Sequence, residues 1–195
     1  MKTVNVSLVG VGGQGIILTA DMLAKAAALA GYEVKKSEIH GMSQRGGSVT
    51  SQVRFGSKVC SPIVQVGRSD TLVAFDRLEA IRNAAELAPD GKAVVANVDL
   101  VPITVSSGQQ QALPDIDARL REALPNVLLV DAMKIAVEEV GNERTMNMVL
   151  AGALSKTLPI DEKYWIKAMH ELLAGRKAKL IPANEKAFAL GRAAV

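Results

Sequence analysis

Short apolar runs alternate with amphipathic stretches along this chain, the pattern of an α/β protein. The first run, residues 4–9, is rich in β-branched side chains and leads into glycine, as a buried parallel strand does. Residues 15–29 are rich in Ala and Leu with one apolar face, which predicts a helix ended by Gly31. Further strands are predicted at residues 32–37, 48–55, 71–75, 93–97 and 127–131, with an extended segment at 59–66.

The remaining periodic stretches are helical. Helices are predicted at residues 77–87, 115–124, 132–140, 145–155, 161–174 and 183–193, and residues 98–113 are expected to be irregular. This order predicts an α/β fold that is Rossmann-like, with a mostly parallel sheet, helices on both faces and a helical C-terminal part. No repeat, low-complexity segment or long linker interrupts the pattern, so residues 1–195 are expected to form a single domain.

Composition narrows the class of protein. The chain has 195 residues, of which 49% are hydrophobic and 22% charged, as in a globular domain with a full core. The net charge of +3 is spread along the chain and aromatic residues make up only 3%, so no nucleic-acid partner is expected. No apolar run approaches the roughly 20 residues of a membrane helix and no signal sequence is recognisable, which indicates a cytoplasmic protein.

The metal-binding residue types are scarce. Cys60 is the only cysteine, so the chain cannot build a disulfide within itself or supply the four thiolates of a usual iron–sulfur cluster. Two histidines and one cysteine also cannot form a Cys-rich zinc site, and no metal site is predicted. Cys60 lies in an extended apolar segment and is expected to be a small core residue rather than a nucleophile.

The strongest local motif is GVGGQG, which follows a predicted strand and opens a predicted helix. Glycines allow the backbone to turn tightly beside a phosphate, and the N–H groups at the start of a helix attract an anion. The alternative is a tight turn without a ligand. The candidate cofactor-binding residues in this motif are Gly10, Gly12, Gly13, Gln14 and Gly15.

A dinucleotide would also require an acid at the end of the second strand, to bind the ribose. Glu33 lies early in that strand and Glu38 falls just beyond it. Neither position matches well, so a nicotinamide- or flavin-dependent oxidoreductase that acts alone is the second hypothesis. A nucleotide-binding domain without enzymatic activity is the third.

A second polar, glycine-containing loop spans residues 38–47, and its candidate ligand-binding residues are His40, Ser43, Gln44, Arg45, Gly46 and Gly47. Ligands of open α/β sheets bind at the carboxyl ends of strands, so this loop should lie beside the first. The planar fork of Arg45 suits a phosphate or carboxylate, although it could instead cap backbone carbonyls. His40 is either a proton carrier or part of a turn.

Two residues of the C-terminal part have alternative interpretations. Trp165 shares one helical face with apolar neighbours, so packing in the core or against a subunit is favoured over a ligand platform. Asn147 lies in a predicted helix, where it could cap or bridge a neighbouring loop or contact a ligand.

Four segments of the chain resemble the gamma-type domain of 2-oxoacid:ferredoxin oxidoreductases: GVGGQGIILTADMLAKAA, SEIHGMSQRGGSVTSQVRFG, VCSPIVQVGRSDTLVAFDRLEAIR and NMVLAGAL. The unbroken HGMSQRGGSV is most similar to the beta subunit of the indolepyruvate type. The resemblance covers nearly the whole chain, and these motifs are far more specific than a lone glycine fingerprint. It also accounts for both loops, whereas the third hypothesis accounts only for the first.

The resemblance implies a subunit of an enzyme that is inactive alone. In this family the complex oxidatively decarboxylates an aryl pyruvate, chiefly indolepyruvate, to an aryl-acetyl-CoA and passes electrons to ferredoxin. The resemblance implies that thiamine diphosphate, Mg and the 4Fe-4S clusters lie on the larger alpha subunit. The sequence agrees with that division, since it has neither the cysteines for a cluster nor a Gly-Asp-Gly thiamine motif. The Rossmann-like domain is expected to help shape the site and the route by which coenzyme A enters. No chemical act is assigned to a residue, and His40 and Arg45 are the catalytic candidates.

Overall fold

The computed structural model describes residues 2–40 and 47–195. The strands are β1 (Val4–Val11), β2 (Glu33–His40), β3 (Ser48–Gly56), β4 (Ser69–Ala74), β5 (Leu87–Ala96) and β6 (Val127–Val130). The helices are α1 (Ile16–Leu29), α2 (Arg77–Arg82), α3 (Ile103–Ser106), α4 (Ile116–Ala123), α5 (Ala132–Lys134), α6 (Met146–Ser155), α7 (Glu162–Leu172) and α8 (Ile181–Ala193). Short 3-10 turns lie at Ala84–Glu86, Glu143–Thr145 and Gly175–Leu180, and a π-helical turn, Ile135–Val140, continues α5.

The strands form one mixed sheet in the order β2-β3-β1-β4-β5-β6. Strands β1, β4, β5 and β6 pair in parallel, whereas β3 is antiparallel to both β1 and β2. Five strands therefore run in one direction and β3 runs against them, which confirms the mostly parallel sheet.

The direction of β3 follows from the length of its connection to β2. Only seven residues separate His40 from Ser48. A parallel neighbour requires a crossover of about a dozen residues or more, so the chain can only return antiparallel. Strand β3 then lies between β2 and β1, with Gly10 opposite Val49 and Ile39 opposite Thr50.

Helices cover both faces of the sheet, as predicted. Val73 and Val94 belong to a core shared with α1, α6, α7 and α8. Leu72 and Val95 belong to a smaller core on the other face, shared with α2 and α4. Neighbouring strand residues thus serve opposite faces, because side chains alternate along a strand.

The C-terminal part is helical, as predicted, and α6 and α8 pack at very close range. A Cβ placed on Gly191 would lie 1.9 Å from the carbonyl oxygen of Val149, and one on Gly152 would lie 2.1 Å from that of Phe188. Glycine at both positions is what lets the two backbones touch. Trp165 is fully buried with its ring 6.0 Å from that of Phe188, which confirms that it packs in the core.

Strand β5 begins earlier than predicted. The expected helix 77–87 stops at Arg82, and the strand starts at Leu87 instead of residue 93. Its first part holds Pro89 and Gly91, which normally argue against a strand. Ser69 of β4 pairs with Leu87, but Thr71 pairs with Lys92, so the register between β4 and β5 shifts at this point. Pro89 and Gly91 lie within the shifted part and outside the regular pairing, which is why the strand can contain them.

The expectation that Cys60 is a core residue is wrong, because Cys60 is exposed. Residues 57–68 do not form a strand. Two buried residues fix this segment to the sheet. The N–H of Val59 donates to the side chain of Glu33, and the N–H of Val64 donates to the side chain of Gln52. Cys60 lies between Val59 and Val64 and faces outward. None of the helices in the described part of the chain is long and apolar enough to span a membrane.

Candidate functional site

Residues 12–15 form the turn from β1 into α1, as predicted from the glycine motif, and Gly10 lies in the last part of β1. Gly13 has a φ of 108° and Gly15 a φ of 89°, a region that favours glycine. Gly15 is the N-cap of α1 and offers no side-chain acceptor to the first N–H groups of the helix. A Cβ on Gly13 would meet no described atom within 4 Å, so this side of the turn is open.

Gln14 ties the turn to the neighbouring strand. Its Oε1 accepts a hydrogen bond of 2.7 Å from the N–H of Val11, and its Nε2 donates one of 3.0 Å to the carbonyl of Phe75. The amide lies over Gly10, where a Cβ would come within 2.6 Å of Oε1. Both polar atoms of Gln14 are therefore engaged within the chain, and Gly10 is required because Gln14 occupies the space above it.

The last residue of the second loop lies beside the first loop. The N–H of Gly12 donates to the carbonyl of Gly47 over 2.9 Å, and Val11 lies opposite Ser48 in the β1–β3 ladder. His40 is the last residue of β2. The candidates Ser43, Gln44, Arg45 and Gly46 lie outside the described residues, so their contacts with a ligand stay a prediction.

Two buried acids complete this edge of the sheet, and the sequence motifs did not single them out. Asp76 follows the end of β4 and caps α2, its carboxylate accepting a 2.9 Å bond from the N–H of Glu79. Glu79 in turn accepts 2.7 Å bonds from the hydroxyl of Ser48 and from Arg82. The signal that would have found them is an Asp-x-x-Glu capping box directly after a buried strand.

The Asp76 carboxyl has an unusual environment. It is 1% exposed, and one of its oxygens, Oδ2, has no hydrogen-bond partner among residues 2–40 and 47–195. Burial raises the pKa of Asp76 from 3.8 to about 6, and the nearby charge of Glu79 adds to this rise. The hydrogen bond from the Glu79 N–H acts in the opposite direction. The site thus holds a carboxyl that can change its protonation close to neutral pH.

Asn147 reaches the glycine turn from the opposite side. It lies in the buried helix α6, and a Cβ on Gly15 would come within 2.6 Å of its Nδ2. Its side chain is buried, and its Oδ1 has no hydrogen-bond partner in the part of the chain that the structure describes. The side chain of Asn147 therefore lies close to the glycine turn, and a cap or bridge through hydrogen bonds stays a prediction. A contact with ligand stays a prediction.

The sheet order argues against a dinucleotide bound in the Rossmann manner. That mode needs an acid at the end of the strand next to β1, but β3 occupies that place. With strands about 4.8 Å apart, β2 lies roughly 10 Å from β1. Glu38 pairs with Lys36, and Glu33 accepts from the N–H of Val59, so both acids already have partners.

The chemistry available here is anion binding by backbone N–H groups with a carboxyl nearby. The N–H groups of Gly13 and Gly15 have no acceptor among residues 2–40 and 47–195, whereas that of Gln14 donates to Val11. Free N–H groups before a helix suit a phosphate or carboxylate. Within the same residues, no group of three or more His, Cys, Asp or Glu side chains is arranged to hold a metal ion.

Comparison with known proteins identifies the family. The sequence pattern of the pyruvate ferredoxin/flavodoxin oxidoreductase family matches residues 5–194. The chain belongs to this family. The match runs from β1 to the end of α8, so the two glycine loops, the buried acids and Asn147 all lie within the family's domain.

Two relatives are similar to this chain over most of their length. Indolepyruvate oxidoreductase subunit IorB of Pyrococcus horikoshii is 41% identical over 160 residues, which cover 80% of this chain and 79% of that protein. The subunit of the same name from Thermococcus kodakarensis is 39% identical over 168 residues, covering 84% and 83%. These identities confirm the resemblance that the motifs indicated.

Solved structures of this family share the fold. A 2-oxoglutarate:ferredoxin oxidoreductase from Magnetococcus marinus, solved with 2-oxoglutarate, coenzyme A and succinyl-CoA bound, matches with a TM-score of 0.75 and 25% identity, over 100% of this chain and 31% of that one. The gamma subunit of a keto/oxoacid ferredoxin oxidoreductase from Geobacter sulfurreducens matches with a TM-score of 0.70 and 22% identity, over 98% and 97%. The fold therefore occurs both as a separate subunit and within a longer chain.

Proposed function

We propose that this chain is the small subunit of an indolepyruvate:ferredoxin oxidoreductase. The observation that carries the proposal is the identity of 41% and 39% to two subunits of indolepyruvate oxidoreductases, over about four fifths of each chain. The complex would oxidatively decarboxylate an aryl pyruvate to an acyl-CoA and reduce ferredoxin in the cytoplasm. All 195 residues act as one domain, since α6, α7 and α8 pack into the same core as α1.

The larger subunit is proposed to carry thiamine diphosphate, Mg and the 4Fe-4S clusters. A cluster needs about four thiolates, and the single cysteine of this chain is exposed on the segment between β3 and β4. The contribution of this chain is then to bind and orient. It offers backbone donors, a buried carboxyl and an adjoining polar loop at one edge of its sheet.

We propose coenzyme A as the ligand of this edge. The N–H groups of Gly13 and Gly15 suit a phosphate, and the hydrogen bond from Gly12 to Gly47 supports a position of the second loop close to them. The guanidinium of Arg45 would hold a phosphate by two parallel hydrogen bonds. A member of the family with this fold, from Magnetococcus marinus, has been solved with coenzyme A bound.

Arg45 provides the test of this assignment. Arg45→Ala should leave the assembled enzyme intact but weaken its use of coenzyme A, by about 2–3 kcal/mol if the charge pair is desolvated. Arg45→Lys keeps the charge but loses the fork, so it should restore only part of the affinity. If Arg45 only pins its own loop, Arg45→Ala lowers the melting temperature and impairs assembly, while coenzyme A dependence stays normal in the complex that does form.

A second experiment tests the proposed activity of the complex. The isolated chain should not turn over indolepyruvate, and co-expression with the larger subunit should produce ferredoxin reduction that depends on coenzyme A. Turnover by this chain alone, or efficient NAD reduction with a 2-hydroxy acid, would contradict the proposal. Absence of any complex with the larger subunit would also overturn it.

A further inference from the structure

Two arginines line a cavity of about 490 Å³ at the edge of the sheet opposite to the glycine turn. Asn5, near the start of β1, lies opposite Arg54 in the β1–β3 ladder, and Arg68 directly precedes β4. These three residues line the cavity together with Ile63, from the segment that connects β3 and β4. The cavity is therefore formed at the amino ends of β1 and β4, whereas the glycine turn follows the carboxyl end of β1.

The contacts of Asn5 hold both arginines at this cavity. Its Oδ1 accepts a bond of 2.8 Å from Nε of Arg54, and its Nδ2 donates one of 3.1 Å to the main-chain carbonyl of Arg68. Arg54 also donates from Nη1 to the carbonyls of Ser61 and Ile63, over 2.9 and 3.0 Å. These bonds fix the guanidinium of Arg54 and the main chain at Arg68, so two positive charges are held around one cavity.

The charges of these two arginines are not balanced within the described residues. Neither guanidinium forms an ion pair there, and every acceptor that Arg54 has is a neutral carbonyl or carboxamide oxygen. Asp70, the acid that contacts Asn5, accepts from the N–H of that residue instead. Arg54 is half-buried, and removing a charge from water is costly unless it is paired. The cavity therefore suits an anion.

The free donors indicate which anion fits. In the part of the chain that the structure describes, Nη2 of Arg54 has no acceptor, and the exposed side chain of Arg68 makes no hydrogen bond. Arg54 thus offers one amino group and Arg68 its whole planar fork, the geometry that binds phosphate oxygens in pairs. Ile63, which is 51% exposed, adds an apolar surface, and the volume is that of a small-molecule site.

We propose that this cavity binds the phosphate or diphosphate group of a small organic molecule, held between Arg54 and Arg68 with its apolar part against Ile63. The site is made of side chains of this chain alone. It goes beyond the proposed function, because it lies at the other edge of the sheet from the glycine turn and does not depend on the larger subunit.

Arg68 provides the test, because its side chain makes no bond to the described residues that folding would lose. Arg68→Ala and Arg68→Lys are prepared in the full chain, with Arg176→Ala as the control. Arg176 is also exposed and lies beside Lys177 and Lys179, away from this cavity, so its loss removes the same charge from a basic surface. Inorganic pyrophosphate is titrated into each isotope-labelled protein, and NMR follows the backbone amides and the Nε–H of Arg54. Residue-resolved shifts separate binding at this cavity from binding at the glycine turn.

The wild-type chain should show saturable shifts at Ile63 and at the Nε–H of Arg54. Arg68→Ala should weaken this binding by about tenfold or more, because it loses a charge-assisted hydrogen bond. Arg68→Lys should weaken it less, and Arg176→Ala should leave it unchanged. Shifts confined to the glycine turn, or none at millimolar pyrophosphate, would overturn the inference and leave Arg54 only the role of holding carbonyls. Equal weakening in Arg68→Ala and Arg176→Ala would overturn it too, since the anion would then respond to net charge alone.

Discussion

Asp76→Asn replaces a buried carboxyl by a neutral amide of nearly the same shape. One oxygen of that carboxyl has no hydrogen-bond partner among the described residues. Asparagine caps helices about as well as aspartate, so the bond from the N–H of Glu79 should be retained. The substitution therefore removes mainly the cost of burying a charge. Its effect on the free energy of unfolding should depend strongly on pH.

The magnitude follows from the pKa of Asp76, which burial raises from 3.8 to about 6. A shift of about two units corresponds to about 3 kcal/mol. Because the pKa of Asp76 is higher in the folded chain than in the unfolded chain, the carboxyl binds its proton more tightly in the folded chain. The contribution of Asp76 to stability is fully present below pH 3.8 and is lost as the pH rises through about 6. Losing the favourable charge at the start of α2 subtracts about 0.5 kcal/mol from the gain.

Asp76→Asn should thus stabilise the chain by about 2–3 kcal/mol at pH 7.5 and by almost nothing at pH 3.8. For a chain of this length, the gain corresponds to an increase in melting temperature of about 5–10 °C. Urea denaturation between pH 3.5 and 8 measures it, with Asp90→Asn at an exposed position of β5 as the control. A variant that is destabilised at pH 7.5 would refute the reasoning, since the Asp76 carboxylate would then be stabilised by the fold.

Three further predictions concern other parts of the molecule. Gly191→Ala should lower the free energy of unfolding by about 3 kcal/mol or more, measured by urea denaturation, because its Cβ would lie 1.9 Å from the carbonyl oxygen of Val149 and force α6 and α8 apart. Gln14→Ala should cost about 1–3 kcal/mol in the same assay, since it leaves the N–H of Val11 and the carbonyl of Phe75 without their partner; an unchanged stability would show that water replaces the amide. The purified chain should be colourless, and absorbance near 400 nm with stoichiometric iron in a monomer would contradict the placement of the clusters on the larger subunit.

The elements that carry a strong local signal could be predicted from the sequence. Helix α1 and the glycine turn before it were predicted to within one residue, because glycines and an apolar stripe act over a few neighbouring positions. The start of β5 was missed, since Pro89 and Gly91 normally exclude a strand. These two residues fit into β5 because its pairing with β4 is irregular at that point. That irregularity depends on the register between two strands, which the local sequence does not reveal.

The sequence by itself determined the order of the strands and of the longer helices, the glycine turn, the family motifs and the lack of cluster-forming cysteines. These features depend on residues close together in the chain or on composition alone, whereas the short helix α3 lies in a segment that was expected to be irregular. Only the tertiary structure showed that β3 lies between β2 and β1. Glu38, which belongs to β2, is therefore separated from the glycine turn by a whole strand. It also brought Asp76 and Asn147 close to that turn and buried them, each with one oxygen that lacks a hydrogen-bond partner within the described ranges. Burial and partnership depend on which distant segments pack together, and it is this packing that gives ordinary polar residues an unusual chemistry.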